Sequence, residues 1–133
     1  MKFNSLIPEL TVLDINESKR FYLDILGFKL EYERVADKFA FLSLGDVQIM
    51  LEEINGYWDT GKLEYPFGRG INFQIEVANI EEIKERLIKN NISLFRDLTV
   101  SEYECNGEVI VQKEFLVQDV NGYLLRFCCE EGK

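Results

Sequence analysis

The chain is 133 residues long, 47% hydrophobic, with a formal net charge of −9 and no histidine. Such a length is expected to form one domain with a core of its own. The acidic balance argues against nucleic acid as a partner, no apolar run reaches a membrane span, and without imidazole the usual serine triads are excluded. The acidity either draws a cationic ligand or only keeps the chain soluble, and composition leaves both open. The opening "MKFNSLIPEL" lacks the apolar core of a signal peptide, so a cytoplasmic location is expected. Three cysteines, Cys105, Cys128 and Cys129, form a poor disulfide framework and contain no C-x-x-C; they are expected to be small reduced hydrophobes.

In chain order, "IPELTVLD" alternates as a strand and ends at Asp14. "INESKRFYLDILGF" follows as a helix, with Phe21, Tyr22, Ile25 and Leu26 at helical spacing, Asp14 or Asn16 as its cap and Gly27 as its stop. "KLEYERVADKFAFLSLGDVQIMLEE" reads as three short strands, with turns near Ala36-Asp37 and at Gly45-Asp46. "INGYWDTGKLEYPFGRG" is too long for a tight turn and too aromatic for a plain linker, which is how functional loops often read. The strand "INFQIEV" and the helix "NIEEIKERLIKNN" come next; Asn79 caps the helix, Ile80, Ile83 and Leu87 share a face, and Asn90-Asn91 ends it. Three more strands follow in "SLFRDLTVSEYE", "VIVQKEFLVQD" and "YLLRFCCEE", separated by the hairpin signals Asn106-Gly107 and Asn121-Gly122. "VLDINESKRFYLDILGFKL" lies over "VANIEEIKERLIKNNISL", so a β-α-β-β-β unit occurs twice. The expected organisation is module one over residues 1–53, a connecting loop over 54–70 and module two over 71–133.

The opening "LTVLDINESKRFYLDILGF", the closing "EFLVQDVNGYLLRF" and the paired units resemble the vicinal-oxygen-chelate superfamily of glyoxalases, extradiol dioxygenases, fosfomycin-resistance enzymes and bleomycin-resistance proteins. The resemblance implies an α+β fold, with each module's curved sheet half-enclosing a cavity and helices outside, and a divalent metal held by His and Glu from equivalent strands of the two modules. Carried onto this chain, the four ligand positions fall at Ile7, Met50, Asn72 and Arg126. Arginine has only donors and its own positive charge, and Ile7 and Met50 offer a hard cation nothing. No metal and no other cofactor is therefore expected. A guanidinium in that place can hold a carboxylate or another anion, or pair with Glu9, Glu52 or Glu114 on a neighbouring strand.

A lost metal site, an acidic surface and Pro8 in the first strand resemble the bleomycin-resistance branch. That branch performs no reaction, and its dimers sequester a cationic aromatic antibiotic in grooves between subunits. The resemblance implies a homodimer with its N-terminal strand exchanged around Pro8. Stacking surfaces and carboxylates for such a ligand are available from Tyr57, Trp58, Asp59, Glu64, Tyr65 and Phe67 in the connecting loop and from Phe39 and Phe41. Strand parity puts Gln48, Met50 and Glu52 on one face, as it does Asn72 with Gln74, and Leu124 with Arg126 and Cys128. The expected ligand contacts are Arg126, Asn72, Met50, Glu52, Gln48, Gln74, Trp58, Tyr57, Tyr65, Phe67 and Phe39, with no catalytic residue. Two other readings stand beside this one: a lyase or isomerase using carboxylates such as Glu9, Glu52 or Glu114, with or without a divalent ion, and a module whose cavity is packed shut by Met50 and Arg126.

Overall fold

The computed structural model describes residues 1–130, so the last three residues of the expected second module, 131–133, and with them the final residue of the expected strand "YLLRFCCEE", lie outside the described residues. The chain divides into two compact units, Met1–Phe67 and Gly68–Lys133. Most of the expected connecting loop thus belongs to the first unit. Each unit holds a four-stranded mixed sheet and an α-helix between its first two strands, an α+β arrangement.

In the first unit, β1 (Glu9–Val12), β2 (Lys29–Arg34), β3 (Phe39–Leu44) and β4 (Val47–Glu53) pair in the order β1-β4-β3-β2. α1 (Ile15–Arg20) starts where Asp14 accepts from the backbone N–H groups of Asn16 and Glu17, at 2.9 and 3.2 Å. Asp14, not Asn16, is the cap. Beyond Arg20 the helix widens into a π-helical turn over Phe21–Ile25, where the Leu26 N–H reaches the Phe21 carbonyl at 3.0 Å. The wider turn accompanies full burial of Tyr22 and Leu26. Leu10, Val12, Ala40, Leu42, Ile49 and Leu51 are buried on the opposite sheet face from Glu9, Met50 and Phe41. The turn expected near Ala36-Asp37 is a short 3-10 helix, Val35–Asp37, closed by Lys38 in the left-handed region. Pro8 flanks β1 and is not inside it; its carbonyl accepts from the Met50 N–H at 2.9 Å, which a proline can do without a donor of its own.

In the second unit, β5 (Asn72–Glu76), β6 (Arg96–Cys105), β7 (Glu108–Gln118) and β8 (Leu124–Glu130) pair as β5-β8-β7-β6. α2 (Ile80–Lys89) is capped by Asn79, whose side chain accepts from the Glu82 N–H. Its buried stripe is Ile80, Ile83 and Leu87, and the core also takes Ile75, Phe115, Val117, Leu125 and Phe127. Asn106 and Gly107 both have positive φ, the geometry of a two-residue hairpin turn. Asn121-Gly122 differs: Gln118 pairs with Leu124, leaving five residues between the strands. Buried Asp119 organises that loop by accepting from the N–H groups of Asn121 and Tyr123, at 2.9 and 3.0 Å. Among the described residues no helix is long and apolar enough to cross a membrane.

Candidate functional site

The faces left uncovered by α1 and α2 carry the expected site residues. In the first module, one line across the sheet runs Glu9, Met50, Phe41, Tyr32, and the next runs Thr11, Glu52, Phe39, Arg34. The rings of Tyr32 and Phe41 stack at 5.2 Å, and the Arg34 guanidinium lies 3.9 Å over the Phe39 ring. Phe39, expected at the ligand surface, is 3% exposed: Arg34 and Tyr32 cover it, so it serves as core. Phe67 is buried as well. Gln48 is occupied by the N-terminal segment. Its amide donates to the Lys2 carbonyl and accepts from the Asn4 N–H, both at 2.7 Å, while Phe3 meets Phe41 edge-on at 5.4 Å.

Met50 remains half-buried and, with Glu9 and Trp58, lines a cavity of about 310 Å³, within the range of small-ligand sites. Trp58 is 61% exposed and Tyr57, which meets it edge-on at 4.7 Å, is 77% exposed. Burial raises the Glu9 carboxyl above the usual glutamate range; neighbouring Glu52 adds to this and Arg34 opposes it. Glu52 accepts from the Asn55 amide at 3.1 Å, and Asn55 in turn accepts from the Tyr57 N–H, tying the aromatic loop to β4. Tyr65 is exposed. The aromatic residues expected to act together thus separate into an exposed trio, Tyr57, Trp58 and Tyr65, and a buried pair, Phe39 and Phe67.

In the second module the equivalent line runs Gln74, Arg126, Leu116, Arg96, so Arg126 stands in β8 where Met50 stands in β4. Asn72 lies opposite Leu124, one step along. Of the three carboxylates weighed as partners, Glu114 is the one that meets Arg126: Nη1 lies 3.5 Å from Oε2. The Tyr103 hydroxyl donates to Glu114 Oε1, a partner the sequence reading missed. Parity on the β6–β7 hairpin would have placed Tyr103 and Glu114 on one face, the available signal. Among the described residues Glu114 Oε2 and Arg126 Nε have no hydrogen-bond partner although both atoms are buried, which costs roughly 1–3 kcal/mol per neutral group and more for charged ones. Cys128 lies in the register line of Glu76 and Glu114; burial first, then these two carboxylates, push its thiol up to about 11 and hold it neutral. None of the three cysteines is in a disulfide.

The four positions onto which the resemblance carries metal ligands, Ile7, Met50, Asn72 and Arg126, have side chains that do not fit a divalent ion. They present an alkyl chain, a thioether, one carboxamide and a cation. Among the described residues no three His, Cys, Asp or Glu side chains are grouped to hold a metal.

The model of the Glyoxalase/Bleomycin resistance protein/Dioxygenase superfamily matches residues 3–127, and the chain belongs to that superfamily. A superfamily member of solved structure from Vibrio splendidus 12B01 is 38% identical, covering 92% of this chain and 94% of its own, with a TM-score of 0.42. A glyoxalase/bleomycin resistance protein/dioxygenase from Alicyclobacillus acidocaldarius is 21% identical over 96% of this chain and 92% of its own, at a TM-score of 0.66. An integron cassette protein from the mobile metagenome of V. cholerae is 18% identical over 97% of each chain, at 0.67. No curated protein matches the chain significantly.

Proposed function

We propose that this protein is a metal-independent binder of a small aromatic, cationic molecule, related in mode of action to the bleomycin-resistance branch. The observation that carries this reading is the first-module cavity, where a solvent-open indole, Trp58, stands beside the Glu9 carboxylate and the Met50 thioether. An indole face and a carboxylate are the two surfaces that an aryl cation needs. Arg126 does not oppose a cationic ligand, because Glu114 offsets its charge. Superfamily membership supports the reading at the level of fold and adds nothing about the ligand.

The same reading pairs the chain with a second copy through its N-terminal segment. In its support, Met1, Phe3 and Leu6 are 65%, 54% and 84% exposed, an apolar edge held to β4 by a few hydrogen bonds.

Titration with bleomycin and a series of simpler aryl amines, read by Trp58 fluorescence, tests the assignment. The expected result is saturable quenching, one ligand per cavity, with the ligand recovered unchanged. Absence of quenching by every member of the series removes it.

A further inference from the structure

Asparagine followed by glycine occurs three times, at Asn55-Gly56, Asn106-Gly107 and Asn121-Gly122. In such a pair the glycine nitrogen can attack the asparagine side-chain carbonyl, because no Cβ crowds the approach. A C–N bond forms to Cγ, ammonia leaves, and a cyclic imide results. Water then opens the imide at one of its two carbonyls. Cutting the bond to Cγ gives aspartate; cutting the original backbone C–N bond gives isoaspartate. No oxidant or reductant is involved. The reaction needs only water, a side chain free to turn and a glycine nitrogen free of hydrogen bonds.

The structure treats the three pairs differently. Asn121 is buried, and the Gly122 N–H donates to the Asp119 carbonyl at 3.0 Å. Asn55 is exposed but held at both ends of its amide: Nδ2 donates to Glu52 Oε1 at 3.1 Å, and Oδ1 accepts from the Tyr57 N–H at 2.9 Å. Asn106 is exposed, and among the described residues neither its side chain nor the Gly107 N–H has a hydrogen-bond partner. A Cβ on Gly107 would meet nothing within 4 Å, so the space beside it is open. Asn106 also sits on the least supported stretch of sheet. Among the described residues β8 pairs with β7 only from Gln112 onward, so residues 108–111 pair with β6 alone. A two-stranded ribbon is marginal in water and opens first at its tip. Opening lets the turn leave its φ angles of +52° and +83° and bring the nitrogen onto Cγ.

We propose that Asn106 is a self-modifying site that converts in water to isoaspartate, and that this conversion loosens the hairpin holding Tyr103 on Glu114. The product inserts one methylene into the backbone of a two-residue turn and sets a carboxylate between Glu104 and Glu108. Tyr103 lies on the same ribbon, opposite Ile110, and its hydroxyl serves the buried Glu114. The proposal does not rest on the function assigned to the first module.

The full chain is incubated at mildly alkaline pH, folded or in urea, and its peptides are mapped by mass spectrometry. The rate of each pair in the folded chain is compared with its own rate in urea. Asn106 is expected to keep most of its urea rate. Asn55 and Asn121 are expected to slow by about tenfold or more, the factor that roughly one hydrogen bond supplies. Asn106 slowed as much as either other pair overturns the site; a turn too rigid to reach the geometry of attack gives that result. The converted chain, separated by its added charge, is expected to unfold at a lower urea midpoint than Asn106→Asp, which carries the charge without the methylene. Equal midpoints overturn the loosening of the hairpin.

Discussion

A guanidinium in an otherwise apolar strand needs a counter-charge close by, and Glu114 supplies it from the neighbouring strand. Truncating Glu114 leaves Arg126 without that charge and Tyr103 without its acceptor. Glu114→Ala is therefore expected to lower stability by roughly 3 kcal/mol, the low end for a broken buried pair because Arg126 is partly open. Tyr103→Phe removes only the phenol donor, and about 1.5 kcal/mol is expected. Urea midpoints at constant slope measure both, and a loss for Glu114→Ala no larger than that for Tyr103→Phe contradicts the ion-pair account.

Glu9 makes a prediction in pH. Its folded pKa is raised above 4.5, so the folded chain holds this proton more tightly than the unfolded one. Its contribution therefore favours folding at acid pH, and stability falls as pH rises from about 4.5 through the raised value. A cationic ligand requires the ionised form, so its affinity should weaken as pH drops while ordinary surface glutamates are still charged. Glu9→Gln is expected to weaken binding and flatten this profile. A pH dependence identical to wild type would mean another group holds the cation.

The elements follow from local chemistry where the controlling contacts are local. Asp14 and Asn79 cap their helices with their own side chains, and Asn106-Gly107 supplies the two positive φ angles of its turn. The Asp119-to-Gly122 turn was legible as a turn, whereas the π-helical turn at Phe21–Ile25 and the use of the Asp119 carboxylate inside that turn were not. The π-helical turn reconciles a helix with a fixed burial pattern against its sheet, and the role of Asp119 depends on a buried carboxylate choosing backbone donors over solvent. Two glycines separate backbone strain from crowding. At Gly107, φ is +83° and a Cβ would meet nothing within 4 Å, so Gly107→Ala should cost about 1 kcal/mol. At Gly68, φ is +71° and a Cβ would lie 2.6 Å from the Tyr123 ring, so Gly68→Ala should cost roughly 2–3 kcal/mol. Equal thermal shifts for the two variants would show that the Tyr123 ring yields freely.

At the scale of the whole molecule, duplication is the main fact. Two sheets share one strand order, and the same line of the register holds Glu9 with Met50 in one and Gln74 with Arg126 in the other. The proposed pairing of two copies through the N-terminal segment predicts a dimer by light scattering. Deleting residues 1–7 is expected to give a folded monomer; a full-length chain that stays monomeric at high concentration contradicts the pairing.

By itself the sequence determined the repeated β-α-β-β-β unit, the Asn79 helix cap and the hairpin at Asn106-Gly107. All of these depend on residue type or on contacts a few positions apart. Only the tertiary structure decided which carboxylate answers Arg126, that Tyr103 shares it, that Arg34 buries Phe39, and that Gln48 is taken by the N-terminal segment. Those outcomes depend on strand register and on which of several chemically equivalent partners comes within reach, and distance in space is not written in the order of the chain.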